Sequence, residues 1–486
     1  MTAGPAAGPN DSQVDGLVAD LVAAVGAANV LTDPTSLRLY GHDASTYRGE
    51  APPVVCLPGG TDAVAAVVRA ARRHGRPFVA RGSGTGLAGG AVPLDGAVVV
   101  STTRMDRILS VDPDARLAWV QPGVLNLDLS RSLRHHGLHF APDPSSQQAC
   151  TIGGNVANNS GGPHCLAYGV TSAHVLAVEV VLPDGDVVVL GGEEPEPDGY
   201  DLRGVFVGGE GTLGIATAVA VRLTPDPSTV RTMLVTLDDL DAAAECVTAI
   251  ISAGIVPAAV EMMDGALAAV VEDFCGAGYP RDCAAVLLVE LDGAPHGVAS
   301  DAAAVEALAV GLGARAVRVA ADDAERDALW RGRKSAFGAI ARILPDYYLH
   351  DTVVPRTRLV EVLSRVRAIA EDHGLAVYNV FHAGDGNLHP LLLFDAAEPG
   401  VMARVHAAGS QIVAASLEAG GVLSGEHGIG IEKRDFMGLQ FSEAELELQD
   451  RLRAAFDPDR VANPHKGLPG GSRCGELGAL PEGVWI

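Results

Sequence analysis

At 486 residues the chain is too long for one compact core, and we expect it to divide into two or three domains. Hydrophobic residues make up 48% of the chain and charged residues 20%, so a large core can be buried. The net charge of −25, without clusters of Lys and Arg, excludes nucleic acid as a partner.

The seven cysteines are scattered and include no CxxC pair, so neither a disulfide framework nor an internal iron–sulfur cluster is indicated. Reduced thiols in a cytoplasmic protein are the simplest interpretation. The sequence has no run of about eighteen uninterrupted apolar residues, and its first residues lack a basic region followed by an apolar one. We therefore expect neither a membrane-spanning helix nor a signal peptide.

The amino-terminal segment predicts disorder and is followed by helix and strand patterns. Residues 1–12 combine Pro, Gly and Ala, which is typical of a disordered tail. Apolar residues at helical spacing predict an amphipathic helix over 14–28. The next predicted elements are a strand at 54–57, a helix from Thr61 as its N-cap to Gly75, and a strand at 77–80.

The strand at 77–80 leads into a glycine-rich loop, residues 81–90. The loop has five glycines in ten residues, which leave backbone N–H groups uncovered. Such N–H groups, arranged in a turn, bind phosphate oxygens without basic side chains, so the loop favours a large or diphosphate-bearing nucleotide. It is neither a GxGxxG turn that opens a helix nor a Walker A motif, and a flexible turn is the alternative.

A second polar and glycine-rich stretch lies at 142–162, after predicted strands at 97–102 and 117–123 and a predicted helix over 125–136. The stretch is too polar for a core, and it lacks the charge runs and repeats that are typical of a linker. We interpret it as a second loop that contacts the nucleotide.

A hairpin and a third glycine cluster complete the first half of the chain. Apolar runs at 175–182 and 186–190, joined by Pro-Asp-Gly, predict the hairpin. The glycine cluster lies at 205–215. Two prolines within 224–228 mark a domain boundary, because the pattern of apolar residues resets there.

Strands and helices alternate beyond this boundary. The predicted strands are 232–237, 255–260, 284–291 and 314–320, and the predicted helices are 240–253, 298–312, 358–373 and 443–455. This pattern predicts a second domain that mixes the two kinds of element.

Two short runs in the second half carry the residues for chemistry. Residues 379–390 predict a hairpin with a Gly-Asp-Gly turn, which would bring His382 and His389 together. A later Ser-Gly-Glu-His-Gly run supplies Glu426 and His427. Two histidines and a carboxylate would form a three-ligand site for a divalent metal, with the last histidine left as a base. The spacing matches neither a zinc finger nor HExxH, so structural histidines are the alternative.

Several of these runs together resemble the FAD-linked 2-hydroxy-acid dehydrogenases of the vanillyl-alcohol-oxidase flavin fold. The runs that carry the resemblance are 81–90, 142–162, 208–214, 382–389, 425–428 and 463–466. The likeness extends from Ser36 to the C-terminus. Within this family, the runs 329–337, 345–348 and 473–478 look most like the flavin subunits of bacterial glycolate oxidases.

The resemblance implies an α+β fold with two domains. Residues 13–226 would form a two-subdomain FAD-binding domain of the vanillyl-alcohol-oxidase or p-cresol-methylhydroxylase type. Residues 227–440 would form an α+β substrate cap domain with the metal site, and residues 441–486 a C-terminal segment that returns to the FAD domain. The FAD would be noncovalent, because the phosphate loop lacks the histidine that bonds to the flavin in some relatives.

The resemblance also implies the residues of the site. The FAD would be bound by Arg81, Gly82, Ser83, Gly84, Thr85, Gly86, Leu87, Gly89, Gly90, Pro142, Asp143, Thr151, Gly153, Gly154, Asn155, Asn158, Asn159, Gly161, Gly162, Gly209, Glu210, Gly211, Gly214, Ile215 and Asn463. His382, His389 and Glu426 would be the ligands of a divalent metal, Zn or Mn. His427 would be the base, and Arg333 would bind the substrate carboxylate.

Flavin-dependent oxidation of a small D-2-hydroxy acid is the expected reaction. The acid would chelate the metal, His427 would take the hydroxyl proton, and hydride would pass from Cα to the flavin. D-2-hydroxyglutarate dehydrogenases hold a second substrate carboxylate with a threonine and a lysine, where this chain has Phe337 and Leu349. A second carboxylate would find no partner there, which favours glycolate or D-lactate.

Two alternatives stay open. A D-lactate dehydrogenase linked to quinone or a cytochrome would share all of these runs, whereas a non-catalytic flavin-binding subunit would be expected to have lost the metal ligands. Because the chain has no iron–sulfur motif, the resemblance implies a separate iron–sulfur subunit that takes the electrons to the membrane quinone pool. The chain would then be cytoplasmic, and peripheral at the inner membrane through that partner.

Overall fold

The computed structural model describes residues 11–194 and 198–469, in which helices and strands mix along the whole length. Residues 1–10 of the predicted tail and the run 473–478 lie outside the described residues. The first helix begins at Asp11, so the last two residues of the predicted tail are helical.

A four-stranded sheet forms the first layer of the amino-terminal half. Its strands are β1 (Val30–Leu31), β2 (Val55–Cys56), β3 (Phe78–Arg81) and β4 (Val98–Ser101), in the order β1-β2-β4-β3, and its helices are α1 (Asp11–Val25), α2 (Pro34–Leu39) and α3 (Thr61–Arg73). Strand β4 pairs in parallel with both β2 and β3. Helices α1 and α3 pack against the sheet, where Leu21, Val67 and Val98 are fully buried. Because β3 ends at Arg81, the glycine-rich loop leaves the sheet at the carboxyl end of a parallel strand, where open sheets place their ligands.

A five-stranded antiparallel sheet forms the rest of this half. The strands of this region are β5 (Ile108–Asp112), β6 (Leu117–Val120), β7 (Leu138–His139), β8 (Val175–Val181), β9 (Val187–Gly191), β10 (Ile215–Arg222) and β11 (Thr224–Pro225), and its helices are α4 (Asn126–Leu133), α5 (Ile152–Asn158), α6 (Cys165–Tyr168) and α7 (Leu202–Phe206). The sheet has the order β5-β6-β10-β8-β9, and β7 pairs separately with β11. Strands β8 and β9 confirm the predicted hairpin.

The start of α3 differs from the prediction. Gly60, not Thr61, is the N-cap of this helix, and no side chain caps it. The Thr61 hydroxyl instead donates to Glu179 Oε1 on β8 at 2.6 Å. The predicted cap is wrong because Thr61 is the first residue of the helix, and its side chain is directed to a distant carboxylate that no local pattern reveals.

A larger antiparallel sheet dominates the second half. Its strands are β12 (Thr229–Leu237), β13 (Ala259–Asp264), β14 (Ala285–Gly293), β15 (Ala316–Val319), β16 (Asp346–Leu349), β17 (Thr352–Val353), β18 (Ala376–His382), β19 (Asn387–Leu388) and β20 (Pro390–Phe394). The central order is β15-β12-β14-β13-β18-β19-β17, and β20 pairs with both β18 and β16. The predicted strand 255–260 is displaced to β13, because Pro257 has no N–H to donate to a central ladder.

Helices cover both faces of this sheet. They are α8 (Leu240–Ser252), α9 (Gly265–Cys275), α10 (Pro295–Gly311), α11 (Asp323–Lys334), α12 (Ala336–Ile340), α13 (Leu359–Asp372) and α14 (Val401–Glu418). Two further helices, α15 (Met437–Gln440) and α16 (Glu443–Phe456), pack beside α14. Alternate strand residues enter two cores: Leu287 and Phe381 face α8, α10, α13 and α14, while Leu288 and Val380 face α9, α11 and α12.

Beyond α16 the chain runs beside the first sheet. The Phe78 N–H donates to the carbonyl oxygen of Val461 at 2.9 Å, and the Asn463 N–H donates to the carbonyl oxygen of Phe78 at 2.8 Å. Within 11–194 and 198–469, none of the helices has the length and apolar character that crossing a bilayer requires.

Candidate active site

A cavity of about 450 Å³ lies between the glycine-rich segments of the first half and the large sheet of the second. The predicted FAD residues that line it are Arg81, Gly82, Ser83, Gly84, Thr85, Gly86, Leu87, Gly90, Thr151, Gly153, Gly154, Asn155, Asn158, Gly209, Glu210, Gly211, Gly214 and Ile215. Arg333, His389, Glu426 and His427 line the opposite side. Residues predicted from distant parts of the sequence therefore meet in one cavity.

The other predicted FAD residues lie behind the lining. These are Gly89, Pro142, Asp143, Asn159, Gly161, Gly162 and Asn463. The Asn463 side chain donates through Nδ2 to the carbonyl oxygens of Gly90, at 2.8 Å, and Glu210, at 2.7 Å. Asn159 ends α5 in the left-handed conformation. Such residues shape the cavity without lining it.

The first loop presents bare backbone to the cavity. Among the described residues, no acceptor lies within hydrogen-bonding geometry of the N–H groups of residues 83–87. A Cβ on Gly82 would collide with Thr151 Oγ1, and a Cβ on Gly84, whose φ is +73°, would collide with the Arg81 guanidinium. Uncovered N–H groups in a turn without side chains are suited to phosphate oxygens.

The stretch 142–162 is partly helical, not wholly a loop as predicted. Thr151 caps α5 by accepting a hydrogen bond from the Gly154 N–H at 3.2 Å, and Ile152 and Val156 bury one face of the helix. Asn155 lines the cavity, and its Oδ1 and Nδ2 are buried without a hydrogen-bond partner among the described residues. A buried amide without partners is costly, so it indicates a polar ligand.

The three predicted metal ligands converge. His382 ends β18, and His389 lies between β19 and β20, so the hairpin brings both rings to the 424–428 run. Their Nε2 atoms lie 3.3 Å and 3.1 Å from Glu426 Oε1, respectively. One ligand atom from each residue falls within 4.8 Å of the others.

Hydrogen bonds behind the two rings fix their tautomers. Nδ1 of His382 lies 2.7 Å from Glu261 Oε1, and Nδ1 of His389 lies 3.0 Å from the carbonyl oxygen of His350. Both acceptors require an N–H on Nδ1, which leaves the two Nε2 lone pairs aimed at the Glu426 carboxylate. Three acceptors directed at one point require a proton or a cation between them. The donor set therefore fits a divalent metal.

The charges of the isolated chain agree with this geometry. Although burial favours neutral imidazole, Glu261 and Glu426 raise the pKa of His382 well above its usual range. Although burial favours the neutral acid, His382 and His389 hold the pKa of Glu426 well below its usual range. A positive charge is stabilised at this point of the protein whether a proton or a metal supplies it.

A second possible ligand group, Asp351 with His389 and His427, fits a metal less well. The Asp351 carboxylate accepts hydrogen bonds from the Ser424 hydroxyl at 2.6 Å and from the backbone N–H groups of residues 425–427. Lys433 Nζ lies 3.0 Å from its Oδ2. Its oxygens are already used to anchor the 424–428 run, so Asp351 positions Glu426 and His427.

His427 is a largely buried imidazole beside the predicted metal ligands. Its ring stacks on that of His389, with centroids 5.1 Å apart, and its Nδ1 and Nε2 lie 4.0 Å from Asp351 Oδ2 and Glu426 Oε1, respectively. Burial lowers the pKa of His427 to about 4. The ring is therefore neutral at pH 7, and the nearby Asp351 and Glu426 carboxylates offset only part of the cost of burying its cation.

Arg333 lies in the cavity wall on the last turn of α11, with 1% of its surface exposed. Its Nη2 pairs with Glu261 Oε2 at 2.5 Å, while Nε and Nη1 are buried without a hydrogen-bond partner among the described residues. A buried guanidinium with two free donors is suited to a carboxylate ligand.

The wall beside Arg333 is mainly apolar. Phe337 and Tyr347 stack with ring centroids 6.3 Å apart, and Leu349 and Leu87 join the same cluster. All four line the cavity, and Lys334 is the neighbouring charged residue in this part of the lining. Phe337 and Leu349 thus belong to an apolar surface. These are the two positions at which a second substrate carboxylate was predicted to find no partner.

Several residues that organise the site were missed by the sequence analysis. Glu210 was predicted as a flavin contact and lines the cavity, and what the sequence missed is that its carboxylate accepts the backbone N–H groups of Ile429 and Gly430, both at 2.6 Å. Glu261 was not predicted, although a single charge within the apolar run of β13 is a usable signal. Asp351 lies between β16 and β17, and no sequence motif around it indicates its role.

Two sequence families match the chain. Residues 52–191 match the FAD binding domain family, and residues 226–467 match the family of FAD linked oxidases, C-terminal domain. The chain is 46% identical over 436 residues to the glycolate oxidase subunit GlcD of Escherichia coli strain K12, covering 90% of this chain and 87% of that protein. It is 33% identical over 439 residues to the D-lactate dehydrogenase of Anaerostipes hadrus, covering 88% and 92%.

Solved structures show the fold. The crystal structure of p-cresol methylhydroxylase with substrate bound superposes with a TM-score of 0.79 at 18% identity, covering 95% of this chain and 98% of that chain. The 4-ethylphenol oxidase from Gulosibacter chungangensis gives a TM-score of 0.78 at 20% identity, with the same coverage. The α+β flavin fold expected from the sequence is confirmed.

Proposed function

The chain belongs to the FAD linked oxidase family and is an FAD-dependent oxidoreductase, and on that premise we propose that it oxidises a small D-2-hydroxy acid to the 2-oxo acid. Glycolate is the first candidate substrate and D-lactate the second. The observation that carries this proposal is Arg333, a buried guanidinium with two free donors in the same wall as Glu426 and His427.

The FAD would be held, without a covalent bond, along the glycine-rich side of the cavity. The bare N–H groups of residues 83–87 are suited to its diphosphate, and the Asn155 amide offers a donor and an acceptor to its polar atoms. When bound, FAD supplies the acceptor for the two electrons of the oxidation.

His382, His389 and Glu426 would hold the divalent metal. Two imidazole nitrogens and one carboxylate oxygen suit Zn or Mn equally. Such a cation, when bound, lowers the pKa of a coordinated hydroxyl.

His427 and Arg333 would act directly on the substrate. The neutral imidazole of His427 takes the hydroxyl proton, and Asp351, 4.0 Å away, stabilises the imidazolium. Arg333 binds the carboxylate through its two free nitrogens and fixes the acid in one orientation. The apolar surface of Phe337 and Leu349 accepts hydrogen or methyl at Cα better than a second carboxylate.

The electrons would leave through another subunit. The sequence contains no CxxC pair, and the relatives named as a glycolate oxidase subunit support membership of a complex. We propose a separate iron–sulfur subunit as the acceptor, with the chain on the cytoplasmic side and peripheral at the inner membrane through that partner.

An anaerobic substrate screen tests the proposal. The FAD-loaded, metal-loaded protein is mixed with excess glycolate, D-lactate, L-lactate or D-2-hydroxyglutarate, and flavin absorbance is followed. We expect rapid bleaching by glycolate or D-lactate and slow bleaching by the dicarboxylate, with loss of the response after chelation. Absence of bleaching by every 2-hydroxy acid would overturn the proposal.

A D-lactate dehydrogenase with a quinone or cytochrome acceptor is the second candidate, supported by the 33% identity to a protein of that name. The two candidates differ mainly in pocket shape. The ratio of kcat/KM for glycolate and D-lactate decides between them.

A further inference from the structure

Glu261 is a buried carboxylate that the proposed chemistry does not use. It lies on β13 with 1% of its surface exposed. Its two oxygens have different partners: Oε1 lies 2.7 Å from His382 Nδ1, and Oε2 lies 2.5 Å from Arg333 Nη2. One carboxylate therefore connects a metal ligand to the residue that would bind the substrate.

The sheet explains how these partners meet. Glu261 and His382 are directly opposite each other in the antiparallel pairing of β13 with β18, so their side chains share one face. Met263 and Val380, two residues away on each strand, belong to the core beneath α9, α11 and α12. Arg333 comes from α11, which covers that face, so its guanidinium reaches the same carboxylate.

Each contact has a separate physical effect. A carboxylate that accepts the Nδ1 proton of a histidine fixes the tautomer and makes Nε2 a better metal ligand. Pairing with Glu261 neutralises the buried Arg333 cation through Nη2, while the buried Nε and Nη1 have no hydrogen-bond partner among the described residues.

We propose that Glu261 is a positioning residue that sets metal affinity and substrate carboxylate binding together. This inference rests on the proposed function, because it takes His382 as a metal ligand and Arg333 as the carboxylate-binding residue. Glu261 lies behind both of them and acts through them.

Glu290 provides a matched control within the same sheet. It is 2% exposed on β14, next to β13, and it accepts hydrogen bonds from Arg326 Nε and Nη2, both at 3.0 Å. Arg326 precedes Arg333 by two helical turns on α11. Glu290 is thus a second buried glutamate paired with the same helix, but its recorded partners do not include His382 or Arg333.

The test measures zinc affinity of the full-length, FAD-loaded protein after metal removal. Zn²⁺ is titrated in competition with a chromophoric chelator. We expect Glu261→Gln to weaken zinc binding roughly 10- to 100-fold, the usual cost of losing such a partner, and Glu290→Gln to stay within about twofold of wild type. In steady-state assays E261Q should also raise KM for glycolate. A purely structural role of Glu261 would not predict that zinc affinity and KM change together.

Arg333→Met separates the two effects of Glu261. It should raise KM as E261Q does while leaving zinc affinity within about twofold of wild type, because the bond from His382 to Glu261 persists. If E261Q alone fails to fold because Arg333 is left unpaired, the double variant E261Q/R333M removes both buried charges and should bind zinc as weakly as expected for E261Q.

The outcomes distinguish this inference from the proposed function. Wild-type protein that binds neither Zn²⁺ nor Mn²⁺ would overturn both. If the wild-type protein binds zinc, and E261Q or the double variant binds it with an affinity within twofold of wild type, the role of Glu261 is overturned. The proposed function then stays intact.

Discussion

The two sides of the cavity are built in opposite ways. The first-half side consists mainly of backbone and small neutral side chains. Its polar groups include the N–H groups of residues 83–87 and the Asn155 amide, and Arg81 and Glu210 are its charged lining residues. The second-half side combines the apolar surface around Phe337 with buried ionisable groups that other polar groups hold in place, as Glu261 holds Arg333. The first side excludes side chains by close approach of the backbone, whereas the second requires that no buried charge be left alone.

This difference teaches which kind of change each side tolerates. A steric change on the glycine side should release the cofactor and leave the chemistry of any bound fraction intact. A change of charge on the other side should stop the reaction while the cofactor stays bound. The following predictions test this contrast.

Removal of the metal should have the largest effect. Loss of a cation that stabilises a developing alkoxide is worth several kcal/mol, so chelation should slow flavin reduction by glycolate roughly 10⁴-fold. Stopped-flow absorbance under anaerobic conditions measures this rate, and added Zn²⁺ or Mn²⁺ should restore it. An unchanged rate in chelated protein, verified as metal-free, would contradict the assignment of His382, His389 and Glu426.

His427→Ala should slow flavin reduction by about 10³-fold, because general bases contribute that order of rate. FAD and metal contents should equal those of wild type, which places the loss in the chemical step. His296, an exposed residue of α10, is the control, and H296A should leave the rate unchanged. Wild-type reduction rates in H427A would remove this histidine as the base.

Arg333→Met should raise KM for glycolate and D-lactate about 100-fold, because two charge-assisted hydrogen bonds to the carboxylate are lost. Arg326→Met, on the same helix, should change KM less than twofold. Steady-state kinetics with an artificial electron acceptor gives both values. An unaltered KM in R333M would mean that the substrate carboxylate binds elsewhere.

Gly82→Ala should have the smallest effect, and unlike the changes above it should weaken FAD binding without altering the reaction of the bound fraction. The added Cβ displaces Thr151, which caps α5, so FAD affinity should fall about tenfold and stability by about 1 kcal/mol. Flavin fluorescence on dilution reports the affinity, and the FAD-bound fraction should turn over normally. Gly59→Ala, where a Cβ meets nothing, is the control. Normal FAD retention in G82A would contradict the proposal that the glycine side of the cavity does not tolerate an added side chain.

The candidate site residues that the structure brings together were found from the sequence, whereas residues that hold them in place were missed. His382, His389, Glu426 and His427 were predicted because they lie in short runs rich in glycine. Glu261 belongs to the site through the pairing of β13 with β18, which the register of the whole sheet determines.

Local composition also misled two predictions in the first half. The glycines of 152–158 indicated a loop, but the cap at Thr151 and a buried apolar face make this segment a helix. Thr61 was predicted as a cap because its acceptor, Glu179, is 118 residues away. Only the second error concerns a hydrogen-bond partner outside the window in which a local pattern is read.

The Glu210 carboxylate has a consequence for how the molecule can be divided. It belongs to the flavin half, yet it accepts the N–H groups of Ile429 and Gly430, two and three residues after His427. A fragment that comprises only the second half would keep the predicted metal ligands but lose the support for the segment that bears His427, the proposed base. Oxidation of the substrate should therefore require both halves of the chain. Mixing separately expressed halves should restore activity only if the hydrogen bonds of Ile429 and Gly430 to Glu210 form again.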